Sequence, residues 1–275
     1  MSKSKNIILW VVAVVFMVVI AIYQRSTGPT YPEKGKVDVG GTTVEFSLPR
    51  SFGDPGDCPV TVVNEDRSII GKMKYKRFKS HDEWSIVDME RRGDSLVAYI
   101  PSQPPAGKVQ YEVLLGKQDD LLKSITKNDV VMRYKGYVPT YFLIPHVLAM
   151  FLAMVFSTRA ALEVLFKGSK VFKLALWTTI LFFIGGFMLG PIIQWYAFGD
   201  FWTGLPFGTD LTDNKTLISF VTWLLALWRL KRHPEQTWWA LIAAGVLLAI
   251  YLIPHSVLGS ELDFTTETPT PTNKF

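Results

Sequence analysis

Two histidines in this chain close the same tetrapeptide, Leu143-Ile144-Pro145-His146 and Leu252-Ile253-Pro254-His255. Imidazole titrates near neutral pH and is the commonest protein ligand for metals. A proline in a helix removes a backbone donor and leaves a carbonyl one turn back unpartnered. The pair therefore suits three chemistries: axial ligation of haem b between two helices, a metal ion, or proton or quinol chemistry at one membrane face. For a metal, Asp210, Asp213, Glu261 and Asp263 would fall on the same side as the histidines. Against these stands a structural role, with each histidine donating to a carbonyl freed by its proline. Height also weighs against haem. His146 lies about 7 Å below the interface at about 1.5 Å per residue, whereas His255 sits at a span exit.

Other candidates are weaker. Met150 and Met154 share a helix face with His146, a stripe soft enough for Cu(I), yet methionine also fills gaps between helices, and that is the reading taken. The lone Cys58 excludes an internal disulfide and reads as a buried, inert thiol. No GxSxG, HExxH or phosphate-loop sequence occurs. The glycines of Gly185-Gly186-Phe187-Met188-Leu189-Gly190 lie in an apolar run and read as close helix packing. His81, Asp82 and Glu83 read as a solvated loop, and Arg159 with Glu163 as an i, i+4 helix pair. Nothing outweighs its structural reading, so the chain leans away from an enzyme.

The elements that must position these residues are transmembrane helices. Hydrophobic residues make up 49% of the chain and charged ones only 19%, below the quarter that is usual in soluble domains. Five spans are expected: Ile7–Tyr23, Val138–Phe156, Leu174–Ile193, Asn214–Leu230 with Asp213 as its N-cap, and Thr237–Ile253. The first lacks a small-residue cleavage site after it and is read as an uncleaved anchor.

Charge sets the orientation. Lys3 and Lys5, then Arg159, Lys167, Lys170 and Lys173, then Arg229, Lys231 and Arg232 mark cytoplasmic ends by the positive-inside rule. This gives a cytoplasmic N-terminus and an extracytoplasmic C-terminus in a cell (inner) membrane. It also accounts for the net charge of +5 without nucleic acid as a partner.

Between the first two spans, period-two alternation in short segments separated by Gly, Pro and Asp marks half-buried strands. Seven are expected, near 36–40, 42–48, 59–63, 68–76, 84–90, 95–100 and 108–115, with Trp84 in the core. That count suits an all-β immunoglobulin- or fibronectin-like sandwich. The organisation is therefore an anchor (1–27), an extracytoplasmic β-sandwich domain (28–135), a four-helix transmembrane bundle (136–258) with an acidic, aromatic outer loop (194–216), and a disordered tail (259–275). The functional expectation is a membrane protein whose β domain binds or positions a protein partner, with the helices as anchor and scaffold. The alternative is a redox or metal-handling protein using haem b or a metal at His146 and His255, with Asp210 and Asp213 as further ligands.

Overall fold

The computed structural model describes residues 2–118, 121–254, 262–265 and 270–271. Helix α1 (Lys3–Thr27) starts where the Ser2 hydroxyl accepts the Lys5 amide at 3.2 Å, which meets one of the amides that a helix start leaves unpaired. It buries Leu9, Ala13 and Met17, one residue per turn on a single face, and leaves the other apolar side chains exposed. Helix α2 (Thr140–Leu165) carries Pro145 in its second turn and runs nine residues past the expected end at Phe156. Helix α3 (Val171–Phe182) passes through a π-helical segment, Phe183–Leu189, into α4 (Gly190–Phe198), so that 171–198 forms one rod. That rod ends at Gly199, whose φ of +83° is the left-handed geometry that favours glycine at a helix stop.

Helices α1, α2 and 171–198 are long and apolar enough to cross a membrane. The other two expected spans are coarser matches. Helix α5 (Leu211–Arg232) has the length but carries Asp213 and Lys215 in its first turns and Arg229, Lys231 and Arg232 in its last. Helix α6 (Trp238–Leu252) is apolar throughout but only 15 residues long.

The β region contains β1 (Glu33–Val39), β2 (Thr42–Leu48), β3 (Ser51–Phe52), β4 (Cys58–Val63), β5 (Ile70–Arg77), β6 (Ser85–Asp88), β7 (Glu90–Arg92), β8 (Ser95–Ile100), β9 (Lys108–Gly116), β10 (Lys123–Ser124) and β11 (Val130–Tyr134). β1 and β2 form an antiparallel hairpin turning at Gly40 and Gly41, both with positive φ. A six-stranded sheet runs β3-β11-β9-β5-β6, with β10 also on β9, and a three-stranded sheet runs β4-β8-β7. The chain crosses between these two sheets at Met89, which separates β6 from β7. Val44, Leu48, Val60, Val62, Met73, Leu96, Ile100, Tyr111, Val113 and Met132 are buried in one core shared by the hairpin and both sheets.

Two sequence expectations change here. β3, β10 and β11 were not anticipated, and β11 lies between β3 and β9. Trp84 does not fill the core. It is half-buried, with the ammonium groups of Lys74 and Lys76 5.0 and 5.3 Å from its ring, while Tyr111, Met73 and Met132 occupy the interior.

The β region is fastened to the helices at the end of α4. The Gly136 amide donates to the Ala197 carbonyl at 2.9 Å, and the Arg133 guanidinium lies 4.2 Å from the Phe198 ring centroid. Leu262–Thr265, which the sequence assigns to a disordered tail, rests on the β region instead. Phe264 is buried, Ser80 bridges to it in parallel fashion, and Arg77 lies 5.0 Å from its ring. β12 (Leu262–Asp263) also pairs with β13 (Thr270–Pro271).

Candidate functional site

His146 stands one residue past Pro145 and faces the π-helical segment. Its Nδ1 lies 2.9 Å from the Gly185 carbonyl oxygen. A carbonyl only accepts, so Nδ1 carries the proton and Nε2 keeps its lone pair in the neutral ring. The π-helix supplies this acceptor between helices: the Gly190 amide reaches back five residues to the same Gly185 carbonyl. The absence of side chains makes the approach possible. A Cβ on Gly185 would sit 2.8 Å from the Met150 sulfur, and one on Gly186 would sit 2.8 Å from the Thr216 methyl. Met150 thus fills the space beside Gly185 in the gap-filling role expected of it.

The acidic loop before α5 folds inward at its end. The N-cap of α5 is Asp210, not Asp213 as expected: its Oδ1 accepts the Thr212 amide at 2.8 Å and the Asp213 amide at 3.3 Å. Asp213 is buried one turn in. Its Oδ2 accepts the Thr203 amide at 2.6 Å, the Thr203 hydroxyl at 3.2 Å and the Gln194 side-chain amide at 3.0 Å. These three donors pin the loop to α4 and α5.

Lys215, also buried, donates to the Ile253 carbonyl at 3.1 Å and the Pro254 carbonyl at 3.4 Å. A cation at a helix C-terminus meets the negative end of the helix dipole and its unpaired carbonyls. The second proline tetrapeptide is thereby held through its backbone. His255 and Glu261 lie outside the described residues. Among the described residues no group of three or more His, Cys, Asp or Glu is arranged to hold a metal ion. Asp210 and Asp213 are engaged with backbone and loop donors, and Asp263 accepts from Thr265.

At the opposite end of the bundle the Arg159–Glu163 pair expected at i, i+4 is formed, and it is buried. Arg159 and Glu163 are each 1% exposed, and Arg159 Nη1 lies 2.6 Å from Glu163 Oε2. Arg159 Nη2 donates to Asn6 Oδ1 at 2.9 Å, and its guanidinium lies 5.6 Å from the Trp10 ring. Glu163 Oε1 accepts the Lys170 amide at 3.1 Å. Gly168 approaches the same carboxylate so closely that a Cβ there would collide with it.

In the β region Cys58 is a buried free thiol. Burial, helped by Asp54, pushes its pKa up to about 12, as suits an inert cysteine. Arg77 grips Asp82 through two bonds of 2.6 and 2.7 Å, a structural role that removes Asp82 from any site with His81.

The chain matches no protein-family model, no curated protein and no solved structure.

Proposed function

We propose that this is a polytopic membrane protein of the cell (inner) membrane whose extracytoplasmic β domain, read as a sandwich of the immunoglobulin or fibronectin kind, binds or positions a protein partner. The helices serve as its anchor and scaffold. The observation that carries this reading is the free edge of the larger sheet. β6 ends the six-stranded order with no further strand paired to it among the described residues. It presents Ile86 at 62% exposure beside Trp84 and its two lysines. Such an edge accepts an added strand, with main-chain hydrogen bonds giving affinity and side-chain contacts giving specificity.

Two observations support the proposed topology. The segment Leu262–Thr265 rests on the β region, so both occupy one side of the membrane, and an even number of crossings separates them. The four rods α2, 171–198, α5 and α6 satisfy this, and α1 makes five. The basic residues also gather at the bundle end away from the β region. Lys5 lies 4.7 Å from the Phe166 ring, so the start of α1 meets the end of α2 and the loop into α3. Positive charge there marks the cytoplasmic side.

Site-specific photocrosslinking from Ile86 in cells tests the partner. A discrete adduct from this probe that is lost when Asp88→Pro is added supports edge recognition, and no adduct at any β6 position refutes it. Topology is tested in a Cys58→Ser background, where an impermeant maleimide should label Ser85→Cys and not Ser169→Cys from outside intact cells.

A second reading, a redox or metal-handling protein, is favoured by one observation. The Gly185 carbonyl fixes the tautomer of His146 that leaves Nε2 free to ligate haem b or a metal, the arrangement that orients ligand histidines elsewhere. An absorbance spectrum and metal analysis of purified protein separate the two readings. A Soret band lost in both His146→Ala and His255→Ala supports haem, and a colourless, metal-free sample removes this reading.

A further inference from the structure

Beside the buried ion pair, a cavity of about 240 Å³ opens between the start of α1, the end of α2 and the start of α3. Its walls include Asn6, Trp10, Arg159, Lys170, Lys173 and Trp177, three of them cationic and none acidic. The Arg159 charge is balanced by Glu163 at 2.6 Å, so the net positive charge of the cavity comes from its two lysines. Lys170 and Lys173 are exposed, and their ammonium groups have no ion-pair partner among the described residues. Helix α3 begins at the same place with no side-chain cap, so its free amides and the positive end of its dipole add to the field. Two lysines and a helix start without a side-chain cap border one space, with the Arg159–Glu163 pair behind them, which is the chemistry that holds a phosphate group.

The cavity lies at the edge of an apolar surface. Trp177, Phe172 and Phe166 are 48%, 41% and 46% exposed beside it. A free anion has no use for such a surface, whereas acyl chains do, and tryptophan favours the headgroup level. We propose that this cavity binds the phosphate-bearing headgroup of an anionic phospholipid from the leaflet that holds the basic ends of the helices. The site is separate from the β domain and holds whatever that domain binds.

The test uses full-length protein in nanodiscs of phosphatidylcholine alone or with phosphatidylglycerol, read by thermal unfolding, with native mass spectrometry of retained lipid in detergent. Wild type is expected to retain phosphatidylglycerol and to be stabilised by it. In K170Q/K173Q, retention should fall about 25-fold, since each lysine near an anionic headgroup is worth roughly fivefold. Both lysines are exposed, so this variant should unfold at the wild-type temperature in phosphatidylcholine alone. A control, K231Q/R232Q, removes the same charge from the end of α5 and should retain the lipid as wild type does. The proposal is overturned if phosphatidylglycerol retention is equal in wild type and K170Q/K173Q. It is equally overturned if the α5 control loses as much retention, which would indicate general surface charge, or if inorganic phosphate alone stabilises the protein as well as the lipid does.

Discussion

Glu163→Gln isolates the charge of the buried pair without changing its shape. The glutamine carbonyl can still accept the Lys170 amide, now at 3.1 Å from Oε1, while the negative charge 2.6 Å from Arg159 disappears. An exposed pair contributes only about 0–1 kcal/mol. Here both side chains are at most 2% exposed, and removing one partner of a buried pair costs about 3–5 kcal/mol because the other charge is left uncompensated. At roughly 2–4 °C per kcal/mol for a chain of this size, the melting temperature should fall by about 6–20 °C. Tryptophan-fluorescence unfolding of full-length protein in detergent gives the number directly. The companion double variant R159M/E163L, apolar and similar in volume, should regain most of the loss. A single variant within about 1 kcal/mol of wild type would mean that water reaches the pair, and the buried-charge argument would fail.

Other consequences follow from the same geometry. Asp213→Ala strands the Thr203 amide, while Gln194 keeps its bond to the Thr203 hydroxyl, and should cost about 1–3 kcal/mol, measured by the same unfolding assay. Cys58 should resist iodoacetamide at pH 8 in the folded protein and react fully once unfolded, since its thiol is buried and its pKa stands at about 12; rapid modification of native protein would contradict this. The β domain should lose stability in acid. Hydrogen bonds from Ser68 and Thr42 hold the Asp66 carboxyl below its usual range, and Arg77 does the same for Asp82. Depressed native values stabilise the fold above the unfolded value of about 3.9, and that contribution disappears as pH falls through the native values. Chemical denaturation should therefore be flat from neutrality to about pH 5 and weaken below it, with a shallower decline in D66N/D82N.

Hydropathy and alternation made the outlines legible. The strands at 42–48 and 95–100 coincide with β2 and β8 because each is half-buried and so alternates. β11 escaped because Val130, Met132, Arg133 and Tyr134 are all buried, in a strand flanked by β3 and β9, and so carry no period-two signal. Trp84 misled because a large aromatic in a strand pattern reads as core. Its actual neighbours, Lys74 and Lys76, offer cation–π contact at the surface instead. The i, i+4 spacing of Arg159 and Glu163 carried the helix past the apolar span that ends at Phe156, but hydropathy cannot distinguish a paired, buried charge from a solvated one, so the burial of the pair was not legible. Lys215 was hidden for a related reason: its partners are the carbonyls of Ile253 and Pro254, and backbone acceptors leave no mark on side-chain patterns. The π-helical turn that presents the Gly185 carbonyl to His146 has no propensity signal of its own; only the paired glycines pointed to a close approach there.

The two buried charged clusters also measure the bundle. Asn6 marks the level of the Arg159–Glu163 pair through its hydrogen bond to Arg159. Gln24 marks the other end, where it donates to the Tyr251 carbonyl at 3.3 Å, close to the carbonyls that hold Lys215. Along α1 those two residues lie about 27 Å apart at about 1.5 Å per residue, against about 30 Å for the hydrocarbon core of a bilayer. Between these levels the buried hydroxyls of Thr178 and Thr179 bond back to their own helix, at Leu174 and Ala175, and the helix contacts are made by residues such as Ala153, Phe182, Trp223 and Ala243. Charge is thus confined to the two interfaces, where waters and headgroups can share its desolvation cost, and the middle is left to apolar packing. A bundle pinned at both ends and largely apolar between fits the proposed scaffold, and the π-helical segment Phe183–Leu189, with its bond to His146, is the break in regular packing that a transport path would use.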